Sequence, residues 1–144
     1  MLVSEILRIK GNTLFTTPPN GLVLEAVKVM AQHDIGSLVV MDHGQMVGML
    51  TFAEVLEALA KRQGQLDDLK VDEIYVREPL TATTGLDVME LRRGMLERHA
   101  RYVPVMDGTT LLGVVSFHDV AKAVLEEQSF ENQMLKSYIQ DSPA

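Results

Sequence analysis

Residues 37–54 read SLVVMDHGQMVGMLTFAE, and 65 positions further on residues 102–119 read YVPVMDGTTLLGVVSFHD. Each stretch starts with a short run rich in β-branched residues, Ser37–Met41 or Tyr102–Met106, which reads as a strand. A polar turn follows, Asp42-His43-Gly44-Gln45 or Asp107-Gly108-Thr109-Thr110, and a second apolar run, Met46–Leu50 or Leu111–Val115, completes a hairpin. A hydroxyl residue, Thr51 or Ser116, then opens a helix over Phe52–Lys61 or Phe117–Glu127. Pro104 cannot donate to a ladder, which places its strand at an edge or a bulge near a cleft.

The same shift carries residues 16–59 onto 81–124 without a gap. Upstream of the hairpin, each copy has a short strand ending in Thr (Leu14–Thr16; Leu80–Thr81) and then a helix. Val23, Ala26, Val27 and Met30 recur at helical spacing over Val23–Gln32, matched by Val88, Leu91 and Met95. The unit is therefore β-α-β-β-α, an α+β fold with helices packed on one face of a small sheet. A lead-in also recurs, Val3-Ser4-Glu5-Ile6 against Val71-Asp72-Glu73-Ile74. A unit of about 60 residues is too long for a solenoid turn, so two copies predict a pseudo-twofold pair with a cleft at its seam. The expected organisation is a first repeat over 10–66, a second over 76–128, and a C-terminal helix and tail over 129–144. Ser129 is expected to cap that last helix, Phe130–Tyr138, whose Phe130, Met134, Leu135 and Tyr138 share one stripe. The stripe has no counterpart in the first repeat and is expected to pack on its own chain or on a second subunit.

With 144 residues, 47% hydrophobic and 23% charged, the chain has ordinary globular composition. No apolar run reaches the ~18 residues of a membrane span, and the start, MLVSEILRIKG, lacks a signal-peptide layout. A cytoplasmic location is the simplest expectation. The absence of cysteine excludes disulfides, thiolate catalysis and Cys-type zinc sites. A net charge of −7 argues against a general nucleic-acid surface. Locally, Arg92, Arg93, Arg98, His99 and Arg101 cluster; Arg92 and Arg93 read as a solvated helix face, whereas Arg101 stands where a strand begins and can reach a phosphate. His33, His43, His99 and His118 have no metal-ligand spacing, and neither a catalytic triad nor a Gly-rich phosphate loop is present. The nine methionines are expected mostly at core positions, where they fill irregular gaps.

The strand–helix junctions carry the chemistry. They read Gly48-Met49-Leu50-Thr51-Phe52-Ala53-Glu54 and Gly113-Val114-Val115-Ser116-Phe117-His118-Asp119. A hydroxyl followed three residues later by an acid is a capping box, and Thr51 with Glu54 has its preferred form. Ser116 with Asp119 also suits a nucleotide: a helix N-terminus favours phosphate, and an acid one turn in can accept both hydrogen bonds of a ribose cis-diol, as in dinucleotide folds.

The whole repeat resembles a CBS domain, and the chain resembles a tandem CBS pair, or Bateman module, of the small stand-alone bacterial kind. The landmarks are Thr16 and Thr81, the segments Ser37–Asp42 and Tyr102–Asp107, the two Gly-h-h-Ser/Thr junctions (h, hydrophobic), and the tail Gln128-Ser129-Phe130…Met134-Leu135…Tyr138-Ile139. The resemblance implies a non-enzymatic sensor of adenine nucleotides such as AMP, ADP, ATP or NAD(H), or of S-adenosylmethionine, with no catalytic cofactor and no metal. It implies that Asp119 holds ribose and Ser116 reaches phosphate, with Thr81, Thr83 and Arg101 nearby and an apolar wall of Val103, Pro104 and Val114. Tyr102 replaces the His that many members carry after the Arg. In the first copy Glu54 replaces the expected Asp, so a site with Thr16, Thr17, Ser37, Thr51 and Glu54 is expected to be weak, empty or devoted to another ligand. Expected partners are a second copy in a homodimer and a regulated protein, with neither nucleic acid nor membrane. The alternative is a ligand-free dimerisation or interaction module in which both junctions only cap helices.

Overall fold

The computed structural model describes residues 1–11 and 13–141, and side chains through residue 139; the expected tail residues 142–144 lie outside the described residues. The elements run α1 (Val3–Lys10), β1 (Thr16–Thr17), α2 (Val23–His33), β2 (Ser37–Asp42), β3 (Gln45–Thr51), α3 (Phe52–Lys61), a 3-10 turn (Val71–Glu73), α4 (Val88–Arg98), β4 (Tyr102–Asp107), β5 (Thr110–Ser116) and α5 (Phe117–Asp141). This is the expected α+β pair. β1 runs parallel to β2, which pairs antiparallel with β3, and β4 pairs antiparallel with β5. Both hairpins shift register at the same place, between Val40 and Met41 and between Val105 and Met106. His43 and Gly44, both at positive φ, turn the first hairpin.

The strand of the second copy expected at Leu80–Thr81 is reduced to one parallel bridge, Ala82 to Val105. The Ala82 N–H donates to Pro104 O and the Met106 N–H to Ala82 O. Pro104 thus turns its missing donor toward this nearly open side of β4, next to the register shift, where no ladder bond is lost.

Two hydrophobic cores form, and the lead-ins cross between them. Val3 and Ile6 are buried with Val88, Leu91, Val103 and Val115 in the second core. Leu66, Leu69 and Val71 are buried with Val23, Leu38, Val40 and Leu50 in the first. The crossing is hydrogen-bonded symmetrically: the Val3 N–H donates to Leu86 O at 2.9 Å and the Val88 N–H to Met1 O at 2.9 Å, while Val71 N–H bonds Gly21 O and Val23 N–H bonds Leu69 O, also at 2.9 Å. Glycine makes room for each lead-in. A Cβ at Gly48 would lie 2.0 Å from the Val76 carbonyl oxygen, and one at Gly113 would lie 2.8 Å from a Leu7 methyl.

The C-terminal helix departs from expectation. α5 continues unbroken from Phe117 to Asp141, with Ser129 in its interior rather than at an N-cap. Neither glycine nor proline interrupts residues 117–141, and one interior Ser costs a helix only a few tenths of a kcal/mol. Its last turns leave the body of the chain, with Phe130 62% and Tyr138 76% exposed. The option of packing the stripe on its own pair is therefore overturned. Among the described residues no helix is long and apolar enough to cross a membrane.

Candidate ligand clefts

Both junctions place a hydroxyl residue at the end of a strand and an acid one turn into the next helix. Thr51 Oγ1 accepts from the Ala53 N–H at 3.2 Å, while Glu54 Oε1 accepts from the Thr51 N–H at 2.8 Å and from its hydroxyl at 3.0 Å. Ser116 Oγ accepts from the Asp119 N–H at 3.0 Å, and Asp119 Oδ2 accepts from the Ser116 N–H at 2.8 Å. Both pairs are thus reciprocal caps. The junctions are tied to the facing strands through Phe52 N–H to Gly36 O at 3.0 Å and Phe117 N–H to Arg101 O at 2.8 Å. α2 and α4 end in left-handed residues, Asp34 and His99 (φ 52 each), which bring β2 and β4 to the junctions.

Two clefts flank the pseudo-twofold axis, and each is built from both repeats. The larger, about 770 Å³, joins Thr51, Ala53 and Glu54 to the second lead-in at Val76, Pro79 and Leu80 and to Arg98–Tyr102. The smaller, about 550 Å³, joins Val114, Ser116 and His118 to the first lead-in at Lys10 and Thr13–Phe15 and to Asp34–Ser37. Phe52, Arg101, Tyr102 and Phe117 line both. Tyr102 and Phe52 stack edge to face at 6.2 Å, and the Arg101 guanidinium lies 5.1 Å from the Phe52 ring centre. Gly36 is bare because a Cβ there would lie 2.0 Å from the Tyr102 hydroxyl.

The crossing of the lead-ins redistributes the residues singled out from sequence. Val114, Ser116 and Arg101 line the smaller cleft, with Asp119 hydrogen-bonded behind Ser116. Thr81 and Thr83, grouped with them by repeat membership, are exposed and line neither cleft. Val103 and Pro104 are buried in the second repeat and line neither cleft. Thr51 and Glu54 line the larger cleft, whereas Ser37 belongs to the smaller; exposed Thr16 and buried Thr17 line neither. Sequence reasoning missed Lys10, Thr13 and His118 in the smaller cleft and Leu56 and Leu96 in the larger. The visible signal for Lys10 was the lead-in, which recurs at 68 positions (Val3 to Val71) while the bodies recur at 65, so the first copy has three extra residues there.

Those residues bring Lys10 to the second junction. Its Nζ donates to Asp119 Oδ2 at 2.7 Å and to Val114 O at 2.9 Å. Partial burial pushes the Asp119 carboxyl up, but the Lys10 ammonium and the Ser116 N–H and hydroxyl outweigh it and hold the group below the usual aspartate value. A carboxyl lowered on folding contributes stability that is complete above its unfolded value of about 4 and is lost as pH falls through the lowered folded value. Between pH 6 and pH 3 the wild-type urea midpoint is therefore expected to fall more than that of Asp119→Asn. Parallel curves would mean that the carboxylate makes no such contribution.

Comparison with known proteins agrees with this architecture. The family model described as CBS domain matches residues 3–61 and 71–126. The chain is 30% identical to the mitochondrial CBS domain-containing protein CBSX3 of Arabidopsis thaliana, over 96% of this chain and 71% of that protein. A signal-transduction protein with CBS domains from Burkholderia ambifaria superposes with a TM-score of 0.83 at 28% identity, covering 89% of this chain and 96% of that one. The CBS domain pair of protein MJ0100, solved with 5′-methylthioadenosine and S-adenosyl-L-methionine, superposes with a TM-score of 0.78 at 27% identity, covering 88% and 98%.

Proposed function

The chain belongs to the CBS domain family as a pair of repeats, and from that membership we propose that it is a non-catalytic regulatory module that binds an adenine nucleotide in the smaller cleft and signals to a partner protein. The observation that carries this reading is the Ser116/Asp119 junction, where a carboxylate only 22% exposed stands behind a cleft wall at the positive end of α5. The carboxylate suits ribose hydroxyls, and the helix N-terminus with Ser116 suits a phosphate. The MJ0100 pair, solved with two adenosine derivatives that carry no phosphate, supports an adenosine-bearing ligand. AMP, ADP, ATP and NAD(H) are the candidates. The functional units are residues 10–66 and 76–128, with 129–144 as an extension. Native mass spectrometry of the purified protein and calorimetric titration with each nucleotide test the reading; absence of saturable binding overturns it.

One observation favours a second reading, a ligand-free interaction module. Asp119 Oδ2 already accepts from the Ser116 N–H and the Lys10 ammonium, so the junction is a complete cap without any ligand. Titration separates the two readings, since only the first predicts binding lost with Asp119.

Glu54 is the counterpart control. Glu54→Ala removes the acid of the first cap and is expected to cost about 1 kcal/mol of stability, while affinity at the smaller cleft stays unchanged. A comparable loss of nucleotide binding would mean that the two clefts have been assigned backwards.

We further propose a homodimer that uses the projecting end of α5. Phe130, Met134, Leu135, Tyr138 and Ile139 are all more than half exposed on one chain, and a second subunit offers them burial worth roughly 1.5–3 kcal/mol per large side chain. Truncation after Gln128 is expected to shift the dimer to monomer in light scattering. An unchanged mass would remove α5 from the interface.

A further inference from the structure

Resting on the nucleotide reading above, we propose that Lys10 makes the Ser116/Asp119 cleft selective for ligands that carry phosphate. Its ammonium holds the same carboxylate that a ribose would need, and it yields that carboxylate to a ligand bringing an anion of its own.

The placement is particular to the first lead-in. α1 has eight residues where the second lead-in has a three-residue turn, and the extra length ends in Lys10. The helix is anchored from the far side, with Val3 and Ile6 in the second core and Leu7 against Gly113. Its C-terminal end, which favours a cation, therefore points at the second junction. The ammonium sits between the end of β5, through Val114 O, and the first turn of α5, through Asp119 Oδ2. In the larger cleft, among the described residues, no cation holds the acid, and Glu54 accepts only from Thr51.

Ligand entry is then an exchange. Two ribose hydroxyls that bind Asp119 displace the ammonium from Oδ2 and leave it only the Val114 carbonyl. A neutral nucleoside offers the displaced charge nothing, and a partly buried cation without a counter-ion is costly. A nucleotide offers its phosphate, so one charge-assisted hydrogen bond replaces another. Arg101 also lines this cleft, but its guanidinium is engaged over the Phe52 ring at the boundary with the other cleft. Lys10 is the cation already at the carboxylate.

Calorimetric titration of wild type, Lys10→Met and Lys10→Arg with AMP and with adenosine tests this. Wild type is expected to prefer AMP by about 10- to 150-fold, the value of one charge-assisted hydrogen bond. Lys10→Met keeps the apolar stem and is expected to bring the two ligands to within about threefold, by weakening AMP and tightening adenosine; Lys10→Arg keeps the preference. Thermal melts confirm that the variants fold, and Lys10→Gln replaces Lys10→Met should it not. A neutral variant that retains the wild-type ratio overturns the role of Lys10 and leaves the nucleotide reading standing. Wild-type protein that binds neither ligand, nor ADP, ATP or NAD(H), overturns that reading and this inference with it.

Discussion

Gly48→Ala is expected to lower the stability of the protein by about 3 kcal/mol, the upper end of the cost of overpacking a closed site, and its melting temperature by on the order of 10 °C. The added methyl would meet the Val76 carbonyl oxygen at 2.0 Å and the Tyr75 ring at 2.6 Å. A carbonyl cannot rotate away as a side chain can, and this one accepts from the Met49 N–H at 3.0 Å. The clash would therefore break the bridge that seats the second lead-in on β3. Gly113→Ala is the matched control, because its added methyl meets the mobile end of Leu7 at 2.8 Å, and a loss of about 1 kcal/mol or less is expected. Thermal and urea melts of both variants check the pair. Equal losses would mean that the two lead-ins seat alike and that the backbone contact at Gly48 is not decisive.

Asp119→Ala is expected to weaken nucleotide binding by about 10- to 150-fold, the value of the charge-assisted hydrogen bonds it would make to ribose. The change also costs stability, because the carboxylate accepts from the Ser116 N–H and the Lys10 ammonium. Losing the cap costs about 1 kcal/mol, and Lys10 is left without its anion. Asp119→Asn separates the two effects, since its amide oxygen can still cap the helix while the charge is gone. Equal affinity of wild type and Asp119→Ala would remove Asp119 from the site.

The α+β repeat was legible because its determinants are local. The helical spacing of Val23, Ala26 and Met30, the hairpins around Asp42–Gln45 and Asp107–Thr110, and the hydroxyl–acid pairs at Thr51/Glu54 and Ser116/Asp119 each involve residues close along the chain. Backbone sterics and neighbouring side chains decide such elements wherever they are embedded. The end of α3 at Lys61 is the same from sequence and in the fold. At Ser129 the local preference for an N-cap competed with continued helix hydrogen bonding, and with no glycine or proline to stop it the helix ran on.

The sequence by itself determined that there are two repeats, that each ends in a strand–helix junction with a hydroxyl and an acid, and that the second junction carries the shorter acid. Tertiary structure alone decided which residues share a cleft. Thr81 and Thr83 stand in the same repeat as Asp119 yet line neither cleft, while Lys10, 109 positions away, holds its carboxylate. The physical reason is the exchange of lead-ins. Burial of Val3 and Ile6 is satisfied in the partner repeat's core, and no periodicity along the chain records which of two similar apolar cores a segment will enter.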